Sequence, residues 1–300
     1  MTNHYISLIN NLLLTSIFLL STSHVLAQDE YPYPPLSPKG TVTQTVGNTE
    51  IHIAYERPSA RQRQIFGSLV PWNAVWRTGA GHCTKISFNK PTVVGGQPIE
   101  SGTYALFSIP NPDEWIFILN KDTSLYGSYD YQSQLDVARF VVIPQQSVRY
   151  YETLTLDIEL FSNNARIYLS WADTQLYFDV KTTTDEVMED FIEAELNSGK
   201  SDNSDWYEGA AEFFYHGRSN YASAIAFTEK ALELDEDNGW ARHLKIRIYE
   251  RLQLYDLALQ EIEVAIEHIQ NRTYELEQHR TNDIEMLSKH AEAIRNKIKK

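Results

Sequence analysis

An internal recurrence in the last third of the chain constrains the fold more than any other feature of the sequence. Five pairs of residues lie 34 positions apart: Trp206 and Trp240, Tyr215 and Tyr249, Tyr221 and Tyr255, Ala224 and Ala258, Ala231 and Ala265. A fixed period of this length is typical of arrays whose unit is a pair of helices. Small side chains at the recurring alanines would let the two helices of a unit approach closely. The recurrence therefore predicts an all-α domain over residues 205–300.

One recurring stretch resembles a known repeat. Residues 221–238, YASAIAFTEKALELDEDN, are similar to the second helix and exit turn of a tetratricopeptide repeat. Glu236 departs from that pattern, which usually has proline there. Tyr274 lies one period after Trp240, but the later positions fail to recur, so we predict a long capping helix over residues 272–298.

The tetratricopeptide resemblance implies a concave surface that binds a protein or peptide partner. Its candidate protein-binding residues are Trp206, Tyr215, Trp240 and Tyr249. The alternative is a purely structural cap on the rest of the chain, because two repeats form only a short groove.

Residues 37–182 show a different periodicity. Apolar side chains alternate with polar ones, as at Ile51, Ile53 and Tyr55, and turn signals such as Gly95-Gly96 and Ala172-Asp173 separate the segments. Many short alternating segments without intervening helices predict an all-β antiparallel sandwich or jelly-roll-like domain. A hydroxyl and a carboxylate at Thr183 and Glu186 predict a capping box, so residues 183–204 are interpreted as a helix and a linker.

The N-terminus predicts export. An apolar run at residues 12–20 and Ala27 indicate a signal peptide over 1–27, although no Lys or Arg precedes the run. A buried helix is the alternative. Residues 28–36 are predicted to be a Pro-rich linker. We therefore expect a periplasmic or secreted protein with no integral membrane segment after cleavage. Cys83 is the single cysteine, which leaves no internal disulfide.

Charge and motif spacing exclude several classes of function. The net charge of −14 opposes nucleic-acid binding, which requires a positive field. The chain has none of the usual zinc-ligand spacings. We therefore predict no cofactor, metal or nucleic-acid partner and assign no catalytic residue.

Four motifs in the β region resemble the DUF2911 family of secreted bacterial proteins: residues 37–71, 75–80 (VWRTGA), 101–122 and 169–180 (LSWADTQLYFDV). The resemblance implies an all-β domain and export, and it implies no reaction. The family pattern reads WRTGANEAT, whereas this chain has Gly81, His82 and Cys83 in place of Asn, Glu and Ala. If that Asn and Glu serve a family chemistry, this chain lacks it; if they only shape a turn, nothing is lost.

A basic loop is the candidate ligand site of the β region. Arg57, Arg61 and Arg63 lie between proline and glycine in an acidic chain, and Arg77 follows. Guanidinium groups suit carboxylates, phosphates and sulfates. The alternative is that these arginines pair with the protein's own acids and anchor the loop.

Trp76 and His82 complete the candidate ligand-binding set, because exposed aromatic rings can stack on sugars. His82 and Cys83 are not predicted to form a catalytic pair, since neighbours on a strand point to opposite faces. On such a strand, the side chain of His82 would point to the same face as those of Ile86 and Phe88, near the end or interior of the domain.

Two functions remain open from the sequence. The first is an exported, non-enzymatic interaction or scaffold protein whose helical repeats mediate protein–protein contact. The second is a carbohydrate- or anion-binding module, or a hydrolytic enzyme, with a site near residues 57–63 and Arg77. A pocket that gathers Arg57, Arg77, His82 and an acid would favour the second.

Overall fold

The computed structural model describes residues 33–199, 202–273 and 277–299. The predicted signal peptide and residues 28–32 of the predicted linker lie outside the described residues. Residues 33–38 contain no helix or strand. From Lys39 onward the described residues form ten strands and then six α-helices. A β domain followed by a helical domain was the fold class expected from the sequence, and the structure confirms it.

The strands pair into two antiparallel sheets. In chain order they are β1 Lys39–Val46, β2 Thr49–Glu56, β3 Thr84–Phe88, β4 Thr92–Val94, β5 Gln97–Ile99, β6 Gly102–Ile109, β7 Trp115–Asn120, β8 Asp136–Val142, β9 Gln145–Phe161 and β10 Asn164–Thr182. One sheet has the order β1-β2-β3-β6-β7-β8, and the other has the order β5-β4-β10-β9. The sequence pattern missed β5 and the first residues of β9.

Strand β10 folds back on itself. Arg166 Nε lies 2.7 Å from Asp179 Oδ1, and the rings of Tyr168 and Tyr177 are 5.7 Å apart. Positions 166 and 179 on a straight strand would be separated by roughly 40 Å. The reversal occurs at Ala172, whose φ of 54° lies in the left-handed region. This is the turn that Ala172-Asp173 predicted.

The two sheets enclose one apolar core. Ile53 and Leu106 contribute from the six-stranded sheet, and Leu156 and Leu169 from the other. Alternation along each strand produces this result, because every second side chain points to the same face. At one end of the core, aromatic rings contact one another within 6.3 Å; they belong to Phe66, Trp76, Trp115 and Trp171.

The helices are α1 Thr184–Ser198, α2 Ser204–Glu212, α3 Tyr221–Leu234, α4 Gly239–Arg251, α5 Tyr255–Asn271 and α6 Glu277–Ile298, with a π-helical segment Phe213–Gly217 after α2. The predicted capping box is wrong. Thr183 makes no side-chain cap, and Glu186 pairs with Lys181 at 3.0 Å. The reason is the backbone of Thr183, whose φ of −88° and ψ of 11° lie outside the extended region that an N-cap residue usually adopts.

From α2 onward each helix packs against the next in sequence. Helices α3 and α5 begin at Tyr221 and Tyr255, which carries the 34-residue period into the structure. Recurring positions Ala224, Ala231 and Ala258 are fully buried where these helices meet their neighbours. A capping helix was predicted over residues 272–298, and the structure has α6 at Glu277–Ile298. No helix in the described ranges is long and apolar enough to cross a membrane.

A polar joint attaches the helices to the β domain. Asp185 at the start of α1 is 4% exposed and accepts a hydrogen bond from Asn163 Nδ2 at 2.7 Å. Its other oxygen lies 3.1 Å from Arg218 Nη1, which follows the π-helical segment. The Asn48 amide donates to Thr184 Oγ1 at 3.0 Å. One buried carboxylate therefore ties β9–β10, α1 and the α2–α3 turn together.

Candidate functional site

The predicted basic loop is held by the chain's own hydrogen-bond acceptors. Arg57 donates through Nε to the Leu154 carbonyl at 3.2 Å and through Nη2 to Thr155 Oγ1 at 3.2 Å. Arg63 donates through Nε and Nη2 to the carbonyls of Ala60 and Ser59, at 3.0 and 2.7 Å. These two arginines anchor the loop to β9 and to itself. The acceptors are carbonyl and hydroxyl oxygens rather than the acids that the anchoring alternative named.

Arg61 lies at the exposed tip of the same loop. Its φ of 49° is left-handed, and its amide donates to Glu152 Oε1 at 2.7 Å. The neighbouring Ala60 amide donates to the Glu152 carbonyl at 2.6 Å. The loop backbone is thus fixed against β9 on both sides of its tip.

Trp76 and Arg77 are positioned by the core rather than by a cleft. Trp76 is 7% exposed, stacks on Trp171 and donates its indole N–H to the Gly79 carbonyl at 3.0 Å. This gives Trp76 a packing role and no face for a ligand. Arg77 is half-buried, and its enclosed Nε has no hydrogen-bond partner in the described part of the chain. Its carbonyl accepts from the Thr84 amide at 3.2 Å.

His82 and Cys83 lie in different environments, but neither lies on the strand from which their divergence was predicted. His82 is exposed, with its ring edge-on to Tyr126 at 5.2 Å. Strand β3 begins only at Thr84, so His82 precedes the strand and does not share the inward phase expected for it. Cys83 is 3% exposed, and its thiol lies 3.5 Å from the Thr123 carbonyl. Burial raises the pKa of the Cys83 thiol, which opposes a nucleophilic role.

The substituted position before His82 forms a turn. Gly81 has φ of 53°, in the left-handed region where glycine and asparagine are tolerated best. A side chain at Gly81 would also meet the carboxylate at the end of the Glu56 side chain, which would have to shift. This geometry favours the turn-shaping interpretation of the family's Asn.

A shallow cleft of about 350 Å³ lies beside this turn. It is lined by Lys39, Glu56, His82, Cys83, Lys85 and neighbouring residues of β1 and β2. Of the predicted ligand-binding residues, His82 alone lines it. Arg57, Arg61, Arg63 and Arg77 lie elsewhere, so the structure does not bring the predicted β-domain site together.

A larger groove of about 670 Å³ lies in the helical domain. It is bounded by α2, the α3–α4 turn, α4, the end of α5 and α6. Its apolar surface includes Ile246, Ile269 and Leu287, and two large side chains project into solvent at its walls. These are Trp240, which is 73% exposed, and Met286, which is 62% exposed.

Carboxylates dominate the polar lining of this groove. The acidic lining residues are Asp205, Glu208, Asp235, Glu236, Asp237 and Asp283. Asp237 lies 3.3 Å from His268 Nδ1. The lining cation Arg242 is 8% exposed; it lies 3.2 Å from Glu261 Oε2 and donates to the Glu236 carbonyl at 2.8 Å. Its charge is therefore used inside the protein.

The four predicted protein-binding residues separate into two kinds. Trp206 is half-buried against Phe227. Tyr215 and Tyr249 carry cations over their rings, from Arg247 at 5.4 Å and Lys245 at 5.7 Å. Trp240 alone of the four lines the groove. The sequence analysis does not identify Met286 or the acids of the groove as functional residues. The run Asp-Glu-Asp at 235–237 could have indicated an acidic surface, but its position in the repeat predicts only an exit turn.

Comparison with known proteins matches the β domain alone. Residues 37–180 match the family described as "Protein of unknown function (DUF2911)". No curated protein and no solved structure matches the chain. Among the described residues, no three His, Cys, Asp or Glu side chains are grouped so as to hold a metal ion.

Proposed function

We propose that this chain is an exported, non-enzymatic interaction protein whose tetratricopeptide-like helices bind a peptide segment of a partner protein. The observation that carries the proposal is the groove between α2, α4 and α6, with Trp240 73% exposed at its wall. A large aromatic ring left in water beside an apolar cleft is typical of a binding hot spot.

The two halves of the recurrence support this assignment. Tyr215 and Tyr249 occupy equivalent positions and are both covered by the chain's own cations. Trp206 and Trp240 are also equivalent, yet Trp206 packs against Phe227 while Trp240 stays exposed. The helical array therefore satisfies its internal aromatic positions and presents one of them outward.

The fluorescence of Trp240 can report binding at the groove. The other five tryptophans are buried or half-buried, so binding at the groove should shift the emission of the mature chain toward the blue. Peptides selected from a random display library are titrated into the wild type, Trp240→Ala and Phe191→Ala, and affinities are compared by calorimetry because Trp240→Ala lacks the reporter ring. Phe191 on α1 is 54% exposed and lies outside the groove, which makes it a matched control.

We expect Trp240→Ala to weaken binding by at least about tenfold, in line with a hot-spot tryptophan, and Phe191→Ala to leave it unchanged. Selected peptides that bind Trp240→Ala as well as the wild type would place the interaction elsewhere and contradict the proposal. Export is tested separately, by mass spectrometry of the secreted chain, which should begin at Gln28.

The β-domain cleft is a second candidate, as a site for a small anion. Lys39 and Lys85 both line it, and neither has an acid within ion-pair distance among the described residues. Lysine ammonium groups bind carboxylates and phosphates as point charges. Calorimetric titration with acetate, phosphate and sulfate tests it, comparing the wild type with Lys39→Gln/Lys85→Gln. Equal heats for both would remove this candidate.

A further inference from the structure

The helical groove carries a charge imbalance that indicates the kind of peptide it takes. Six Asp and Glu side chains and two arginines line it. Arg242 is neutralised by Glu261, which is not part of the lining. Asp205, Glu208, Asp235 and Glu236 have no Lys, Arg or His within ion-pair distance in the described ranges. The other lining arginine, Arg272, is a single cation against these four carboxylates, so the field in the groove is negative.

The exposed indole of Trp240 lies in this negative field. Elsewhere in the array the chain places a cation over an aromatic ring, Arg247 over Tyr215 and Lys245 over Tyr249. No cation of the described residues covers Trp240, although indole is the aromatic side chain that binds cations best. The ring and the carboxylates both suit a positive charge, and none of the described cations lies over the ring.

The remaining groove surface is apolar. Met286 is 62% exposed at one wall, and Ile269 and Leu287 lie beside it. Methionine side chains adapt to partners of different shape. A lysine or arginine alone would leave this surface in water, whereas a basic residue followed by an aliphatic one would cover both parts.

We propose that the groove recognises a cationic peptide segment that combines lysine or arginine with aliphatic side chains. The ammonium or guanidinium group lies over Trp240 and faces Asp205, Glu208 and the 235–237 turn, and the aliphatic groups cover Met286. This inference rests on the proposed peptide-binding function and specifies its ligand. Acidic partners are disfavoured, because the lining would repel them.

The test uses three acetylated and amidated twelve-residue peptides with the same leucines, in which the remaining positions are lysine, glutamine or glutamate. We expect the lysine peptide to bind at least about tenfold more tightly than the glutamine peptide and the glutamate peptide not to bind. Trp240 emission reports the titration at two salt concentrations, because contacts between charges weaken when salt screens them.

Matched variants separate recognition in the groove from general attraction to an acidic protein. Asp205→Asn/Glu208→Gln removes two charges from the groove lining. Asp190→Asn/Glu193→Gln removes two exposed charges from α1, outside the groove, and changes the net charge equally. We expect the first pair of substitutions to weaken binding of the lysine peptide about fivefold or more, and the second pair to have little effect on it.

Three outcomes would overturn the inference in distinguishable ways. Equal weakening by both pairs means that the attraction is general, so the groove has no cationic specificity. Binding of the glutamine peptide as tightly as the lysine peptide, with loss in Trp240→Ala, rejects the charge preference but retains peptide binding. No binding of any of the three, together with no Trp240-dependent peptide from the display library, rejects the proposed function as well.

Discussion

The β domain and the helical domain are stabilised by different means. The β domain has one large apolar core between its sheets, in which Trp115 and Trp171 are each 1% exposed, and one small additional cluster around Phe107 and Ile118. The helical domain divides its buried residues into three smaller clusters and adds ion pairs between helices. A two-layer sandwich can concentrate its large side chains between the sheets, whereas a linear array buries only the contacts between neighbouring helices.

This difference bears on where binding is expected. In the helical domain the small buried clusters leave apolar side chains such as Trp240 and Met286 at the surface. Ion pairs between helices contribute to the stability of this domain. In the β domain the tryptophan rings are buried or half-buried and Arg57 and Arg63 are held by the loop, although Tyr126 and Tyr129 are exposed. The helical domain differs because its exposed tryptophan lies beside an apolar groove.

The largest expected effect is in the β core. Trp115→Ala removes a ring that contacts Phe66, Trp76 and Phe117, so we expect a loss of about 4 kcal/mol of stability. Near-UV circular dichroism during urea unfolding follows the aromatic cluster, and signal at 222 nm follows the helices. Trp115→Phe serves as the milder control. A loss under about 1 kcal/mol would show that the ring is not central to the core.

A smaller loss is expected from the ion-pair network of the helical domain. Glu261 accepts from Lys245 at 2.8 Å and faces Arg242 at 3.2 Å, and all three side chains are mostly buried. Burial alone would lower the pKa of Lys245, but the hydrogen bond and charge of Glu261 raise it above its usual value. Glu261→Ala leaves Arg242 without its carboxylate partner and Lys245 with only the more distant Glu229 at 3.6 Å, and should cost about 3 kcal/mol in the helical transition.

Glu263, two positions along α5, provides the control. Its side chain is 70% exposed and 3.9 Å from Arg295, so Glu263→Ala should change stability by under about 0.5 kcal/mol. Equal losses from the two variants, measured at 222 nm in urea, would mean that helix propensity rather than the network decides the stability of this domain.

The smallest expected effect is at the joint between the domains. Asp185→Ala removes the carboxylate shared by Asn163 and Arg218 and should cost about 1–2 kcal/mol. Because this group links the two regions, the near-UV and 222 nm transitions should also separate further. Glu189→Ala, which removes the more exposed partner of Arg218 at 2.8 Å, should separate them less. Unchanged separation in Asp185→Ala would show that the domains unfold independently already.

The fold was largely accessible from periodicity. Alternation at Ile51 and Ile53 predicted a strand with one buried face, and the 34-residue recurrence placed the starts of α3 and α5. The site was less accessible, because exposure depends on contacts distant in sequence. Trp206 and Trp240 are equivalent in the recurrence, and only packing against Phe227 makes one of them internal. For Arg57 the sequence left both ligand binding and loop anchoring open, and only its contact with β9 shows that it anchors the loop.

By itself the sequence determined the two-domain order and the sheet-forming and helix-forming regions, because these follow from local periodicity and backbone geometry. Tertiary structure alone decided which charges and aromatic rings remain available to a ligand. That choice depends on whether a side chain meets another part of the chain, as Arg57 meets Leu154 and Lys245 meets Tyr249, or is left facing water, as Trp240 is.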